Sequence, residues 1–385
     1  MPTPSKPALT IGLVLDTSLD PEDGVQQYVV AMGEWLRGQG HDVHYLVGET
    51  TRRQLPNLHS LSRNVSVKFN GNRTTIPLPT SRKKLRAVLA EHDFDVLHVQ
   101  VPHSPFMAQR LVLAASPRTV VIGTFHVLPY GWASRRGNRL LGSWLKPSLK
   151  RFDRMLSVSS AAAAFARTSF GIETTVLPNV IDCQRFHDAK PLTEYQDAKL
   201  TILFLGRLVP RKGCLVLLRA VAQLITRQDL PEFRVVICGK GPLLARLRQF
   251  TTQNKLTGIV EFKGFVSEAD KPRYYASADV AVFPSCGGES FGIVLIEAMA
   301  SGRAVVLAGD NPGYTSVMKP RPDLLFAAKN ADNLAKKLAY YLQNRAARQK
   351  MQAWSARYAR QFDVAVVGNQ LLDIYHQALR KRRQA

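Results

Sequence analysis

The chain has 385 residues, 45% of them hydrophobic and 21% charged, a globular composition that excludes a disordered or fibrous protein. That length exceeds what one hydrophobic core organises, so two domains are expected. Its 52 Lys and Arg against 29 Asp and Glu leave a net charge of +23, which favours an anionic partner: nucleic acid, an acidic membrane surface or a phosphorylated substrate.

Met1 to Lys6 is short and polar, and the apolar run after it leads into an acidic loop, Asp16–Asp23. This reads as a first strand rather than a signal peptide. No segment approaches the roughly 18 consecutive apolar residues of a membrane span, so a cytoplasmic protein is expected. Strands are predicted at Leu9–Leu15, Val43–Val47, Val96–Val99, Thr119–Thr124, Met155–Val158 and Thr175–Leu177. Between the first two, Gly24–Arg37 carries Val25, Tyr28, Val29, Met32 and Leu36 at helical spacing and is closed by Gly38. A strand–helix–strand rhythm implies a parallel sheet with right-handed crossovers. The polar stretch Asp182–Lys199 interrupts it as an interdomain linker. The rhythm then restarts with strands at Thr201–Leu205, Arg234–Cys238, Val260–Phe262, Val280–Phe283 and Ala304–Leu307, and helices at Cys214–Arg227, Pro242–Asn254 and Phe291–Ala300. The tail from Ala331 is helical and basic. The expected division is 1–183, a linker 184–199, 200–361, and a final helix 362–385 returning to the first domain.

The most informative segment is Pro284-Ser285-Cys286-Gly287-Gly288-Glu289-Ser290-Phe291-Gly292, between the strand Val280–Phe283 and the next helix. A parallel strand feeding a helix N-terminus is where open α/β sheets bind phosphates, because unpaired N–H groups and the positive end of the helix dipole meet there. Gly287, Gly288 and Gly292 allow backbone to approach a ligand closely. Glu289 in the loop can accept hydrogen bonds from sugar hydroxyls. Glu297 shares a helix face with Ile293 and can accept from a ribose. The plain alternative makes Glu289 a helix-start acid and Glu297 a solvated residue.

A second loop, Gly206-Arg207-Leu208-Val209-Pro210-Arg211-Lys212-Gly213, places Arg207 and Lys212 where they can converge on a diphosphate. Because Lys212 is followed by Gly213 rather than Ser or Thr, this is not a Walker A loop. Gly239-Lys240-Gly241 lacks the third glycine of a dinucleotide fingerprint. Asp93-Phe94-Asp95 precedes a strand and reads as a turn, not a metal site, and no other carboxylate or His cluster has metal-ligand spacing. Cys183, Cys214, Cys238 and Cys286 contain no C-x-x-C pair and read as reduced, buried thiols. Cations gather at Arg82–Arg86 and from Trp132 to Arg154, where Arg135, Arg136, Arg139, Lys146, Lys150 and Arg151 alternate with Leu140, Leu141, Trp144 and Leu145. That interleaving suits an anionic lipid interface; a solvated basic face is the bland alternative.

The Glu-x7-Glu spacing, with Glu-Ser-Phe-Gly and Glu-Ala-Met-Ala, resembles retaining glycosyltransferase family four and, within it, the bacterial phosphatidylinositol mannosyltransferases; the resemblance runs from Ile11 through the last helix. It implies a GT-B fold: two Rossmann-like domains with parallel sheets facing a cleft, the first holding the acceptor and the second the donor. It implies a nucleoside-diphosphate hexose donor, GDP-mannose favoured, bound by Gly24, Arg207, Lys212, Val266, Glu289, Ser290, Phe291, Gly292, Ile293, Val294 and Glu297, without a metal. The loops at Gly239-Lys240-Gly241 and Gly264-Phe265-Val266 correspond to those near the nucleotide base. His126 matches a functional histidine set against the transferred sugar, and Gln26 a residue proposed to meet the acceptor. Two departures stand out: Asp23 replaces a common second glycine, and Val127-Leu128-Pro129-Tyr130 lacks the family's lysine.

With no obvious covalent nucleophile, the expected chemistry is same-face attack assisted by the leaving phosphate, with Arg207 and Lys212 stabilising that phosphate and Glu289 and His126 positioning the sugar. The expected acceptor is a lipid-linked hydroxyl at the inner face of the membrane, with the enzyme peripherally attached. A soluble sugar-phosphate acceptor is the alternative within the enzymes. A basic nucleic-acid-binding α/β protein is the alternative from another class, with no recognition motif to support it.

Overall fold

Apolar runs without polar alternation become parallel strands buried on both faces, as such runs must when helices cover each side of a sheet. A computed structural model describes residues 7–20, 23–52, 54–69, 72–128, 142 and 144–384. The chain divides into two units, Met1–Val180 with Val364–Ala385, and Ile181–Asp363.

In the first unit, β1 (Thr10–Leu15), β2 (Asp42–Val47), β3 (Leu58–Ser60), β6 (Val96–Gln100), β7 (Val120–Phe125), β8 (Arg154–Ser157) and β9 (Thr175–Val176) form one parallel sheet in the order β3-β2-β1-β6-β7-β8-β9. A separate antiparallel hairpin, β4 (Asn64–Phe69) with β5 (Asn72–Pro77), was not anticipated from the sequence. Helices Gly24–Gly38 and Val364–Gln384 cover one face. Tyr28, Val29, Met32 and Leu36 from the first, and Val367, Leu371 and Tyr375 from the second, join Ile11, Leu13 and Val43 in one core. Each such fully buried aliphatic side chain contributes about 1.5–3 kcal/mol. The helices meet so closely that a Cβ on Gly368 would lie 2.4 Å from the Trp35 indole. The returning helix expected from the sequence is therefore an integral layer of the first unit. Helices Arg82–His92 and Met107–Ala114 cover the opposite face through Leu85, Val88, Leu111 and Val112.

In the second unit, β10 (Leu200–Leu205), β11 (Phe233–Cys238), β12 (Val260–Gly264), β13 (Val280–Phe283), β14 (Val305–Gly309) and β15 (Leu325–Phe326) lie in the order β12-β11-β10-β13-β14-β15, all parallel. The polar stretch 184–199, expected as a linker, falls within this unit. Phe186 and Tyr195 are buried in it, and the Tyr195 hydroxyl donates to Glu261 Oε2 at 3.2 Å.

One device recurs in both sheets. Asp95, Asp153 and Asp279 each precede a strand and accept the N–H of the neighbouring strand's Thr10, Val121 or Thr201 at 2.8–2.9 Å, which pins the register where the ladder begins. The Asp93-Phe94-Asp95 turn is thus structural: Asp93 adopts a left-handed φ of 38°, Phe94 is buried, and Asp95 is committed to Thr10.

Candidate functional site

In the second sheet the strand order reverses between β10 and β13. An open α/β sheet binds ligands at that reversal, because the two loops leaving the strand ends diverge there. Those loops are 206–213 and 284–292. They are locked together: Cys286 N–H donates to Arg211 O at 2.8 Å, and Ser285 Oγ, whose one proton goes to Glu289, lies 3.1 Å from the same oxygen. The approach demands glycine at 213, where φ is +71° and a Cβ would stand 1.9 Å from Pro284 O. Asn311 supports the second loop, donating from Nδ2 to Ser285 O at 3.1 Å.

Glu289 is the centre of charge. Its Oε1 lies 2.8 Å from Arg211 Nη1, 2.9 Å from Lys212 Nζ and 2.7 Å from the Ser285 hydroxyl, and its side chain is only 12% exposed. Burial works against the ionised carboxyl, but Lys212, Arg211 and Ser285 outweigh it and hold Glu289 below the usual glutamate range. The sequence named Arg207 and Lys212 as the cationic pair. The structure joins Lys212 to Glu289 and adds Arg211 as its fellow cation, whereas half-buried Arg207 makes no ion pair among the described residues. Three cations in a loop without an acid were the available signal for Arg211; which of them meets Glu289 was not readable.

Glu297 is buried, not solvated. Lys271 Nζ lies 3.1 Å from Oε1, and the Tyr275 hydroxyl donates to Oε2 at 2.9 Å. Lys271 bonds Glu268 as well; burial disfavours its charge, but Glu297 and Glu268 more than compensate and raise its pKa. A carboxylate accepts about four hydrogen bonds, so Glu297 keeps acceptor capacity beyond these two. The helix carrying it runs Ile293–Ala300 rather than from Phe291, because Gly292 sits at φ +112° against the Tyr314 ring. Phe291 is buried against Phe362, while Ile293 and Val294, half-exposed, open the first turn ahead of Leu295, whose N–H donates to Gly292 O at 2.9 Å. Ser290 lies in the loop between Glu289 and Phe291. Val266 follows β12 beside Phe265, which is exposed with Lys240 Nζ 5.5 Å from its ring centroid.

In the first unit, His126 follows β7 and is almost fully buried. Its Nε2 donates to Gln100 Oε1 at 2.7 Å, and Gln100 in turn donates to His98 O, which fixes the amide. Burial pushes the His126 pKa down to about 3, so the ring is neutral. Next to it, buried His98 bridges Tyr375 Oη and Thr124 Oγ1, each at 2.7 Å, tying the terminal helix to the strands that carry Gln100 and His126. Gln26 is buried and donates to Ser18 O at 3.2 Å; its Oε1 has no hydrogen-bond partner among the described residues. Gly24 is the first residue of its helix, with Asp23 at the cap. Trp144, Lys146 and Lys150 are exposed around buried Leu145 and Ser148, while Trp132, Arg135, Arg136, Arg139, Leu140 and Leu141 lie outside the described residues, as do Pro129 and Tyr130. Among the described residues no helix is long and apolar enough to cross a membrane.

Two family models match in tandem: glycosyltransferase family 4 over residues 23–185, and glycosyl transferases group 1 over residues 188–360. The chain is 32% identical over 371 residues to a phosphatidyl-myo-inositol mannosyltransferase of Mycolicibacterium smegmatis, covering 95% of this chain and 93% of that one. It is 28% identical to a GDP-mannose-dependent alpha-(1-6)-phosphatidylinositol monomannoside mannosyltransferase of Mycobacterium tuberculosis, over 70% and 72% of the two chains. A glycosyltransferase from Rickettsia africae shares the fold at a TM-score of 0.77 and 19% identity, covering 97% of this chain and 99% of that one. The chain belongs to the family-four glycosyltransferases and is an enzyme of the GT-B fold.

Proposed function

We propose that this transferase moves mannose from GDP-mannose, with retention of configuration, to a phosphatidylinositol-type lipid at the inner face of the cell membrane. The observation that carries the reading is Glu289, held ionised by Arg211, Lys212 and Ser285 between the two loops of the switch point. All three bonds fall on Oε1, which leaves Oε2 for sugar hydroxyls. A diphosphate over the first turn at Gly292, Ile293 and Val294 would draw on Arg207 and Lys212 as charge on the leaving group grows. Glu297 would hold the ribose, Val266 the base side, and Ser290, Phe291 and Gly24 the remaining donor surface. Neutral His126, oriented by Gln100, positions the sugar, and Gln26 with its spare acceptor meets the acceptor. The site needs no metal in this scheme.

The names of the relatives support mannose and the lipid headgroup, and exposed Trp144 beside Lys146 and Lys150 supports peripheral binding to anionic lipid. The test is transfer of radiolabel from GDP-mannose or UDP-glucose to phosphatidylinositol vesicles by the purified chain. Organic-extractable label from GDP-mannose alone is expected. Preference for the UDP-sugar would overturn the mannosyl reading. Label appearing only on added soluble sugar phosphate would overturn the lipid acceptor.

A further inference from the structure

We propose a divalent transition-metal site of the Zn2+ class on the first unit, formed by His44, His59 and His92. The three come from β2, β3 and the last residue of the helix Arg82–His92, and one ring nitrogen of each lies within 4.8 Å of the others. His44 Nδ1 is already 2.9 Å from His59 Nε2. Tetrahedral zinc with Zn–N bonds of about 2.0–2.1 Å separates its nitrogens by about 3.3 Å, so modest ring rotations reach ligand geometry.

A second observation points to a metal. His44 Nε2 is 3.0 Å from Asp42 Oδ2, and Asn57 Nδ2 donates to the other carboxylate oxygen at 2.9 Å. His44 Nε2–H therefore donates to Asp42, which leaves Nδ1 a lone pair facing His59. This is the carboxylate–imidazole arrangement that orients metal-bound histidines. His92 Nε2 is buried without a hydrogen-bond partner among the described residues; its nearest carboxylate oxygen, Glu91 Oε1, is 3.9 Å away. Three imidazoles and no thiolate select zinc, nickel, cobalt or copper over magnesium or calcium. His44 is buried while His59 and His92 are half-exposed, so water fills the fourth position and the ion joins the edge strand β3 to the helix end.

Untagged, chelator-treated full-length chain, titrated with Zn2+ against a chromophoric chelator, is expected to take up one ion with Kd below about 1 μM. Co2+ is expected to give the intense visible bands of a tetrahedral site. Zn2+ affinity should fall by about 100-fold in His59→Ala and His92→Ala, whose folding is checked by their melting temperatures in EDTA, and Asp42→Asn should lower it about tenfold. Should a variant fail to fold, Zn2+-dependent NMR shifts of the His59 and His92 rings in the wild-type chain decide the matter. No stoichiometric uptake, unshifted rings, or undiminished binding in His59→Ala and His92→Ala would overturn the site.

Discussion

Replacing Glu289 by Gln separates binding from chemistry in the proposed site, because the carboxylate would repel a diphosphate while holding Lys212, one of the two cations proposed to serve it. The variant keeps the side-chain volume and an oxygen for Arg211 Nη1 and Lys212 Nζ, now at 2.8 and 2.9 Å from the charge they would lose. Hydrogen bonds to a charged partner contribute about 1 kcal/mol more than neutral ones, so two weakened bonds destabilise the unit by about 2 kcal/mol. At about 2–4 °C per kcal/mol this lowers its melting temperature by about 4–8 °C. The carboxyl is held below its ordinary value, so this stability is present above about pH 4.3 and disappears as pH falls through the folded value; the deficit of the variant should shrink in acid. A carboxylate about 8 Å from a diphosphate charge repels it by about 2 kcal/mol at an effective dielectric constant of about 20. Screening at an ionic strength of about 0.15 M leaves under about 1 kcal/mol. Calorimetry with GDP should therefore show affinity unchanged or up to about fivefold tighter, while kcat falls about 100-fold or more through lost sugar positioning. GDP affinity falling in step with kcat would refute the reasoning, since Glu289 would then be scaffold for the phosphate site alone.

Three further outcomes follow from the packing. Gly213→Ala forces a Cβ to 1.9 Å from Pro284 O at a left-handed φ, so equilibrium unfolding should show a loss of about 3 kcal/mol or more, with GDP binding lost as loop 284–292 moves. Tyr375→Phe strips a 2.7 Å bond from buried His98, which should cost about 1–3 kcal/mol in urea unfolding; an unchanged midpoint would show that the ring finds another partner. Asp16 is buried, accepts from Ser104 Oγ and Ala108 N, and has its pKa raised to about 6 chiefly by burial. Its folded value lies above its unfolded one, so its contribution is fully present below pH 3.8 and is lost as pH rises through about 6. Relative to Asp16→Asn, the wild type should gain about 1.4 kcal/mol between pH 8 and pH 5, and a flat difference would place the carboxyl in contact with water.

The strand–helix rhythm and the Glu-x7-Glu loop were legible because both are local. An apolar run of five or six residues has to pair on both sides, and a strand, a glycine loop and a helix start make an anion site within one short segment. The helix Arg82–His92 is illegible for a local reason too: Leu85 and Val88 are its only buried apolar residues, outnumbered by its charges. The boundary of the helix at Ile293 was missed by two residues because only the backbone reveals that Gly292 is left-handed.

The sequence by itself determined two parallel-sheet domains, the two loops at the switch point of the second sheet, and the family to which the chain belongs. Tertiary structure decided the partners. It gave Glu289 to Arg211 as well as Lys212, buried Glu297 on Lys271 and Tyr275, tied the terminal helix to His98 through Tyr375, and gathered His44, His59 and His92. These pairs are separated by 15 to 277 residues, and periodicity carries information only along the chain. Which charge neutralises which depends on how strands stack in register, and that register is set by burial of the whole sheet rather than by any one segment.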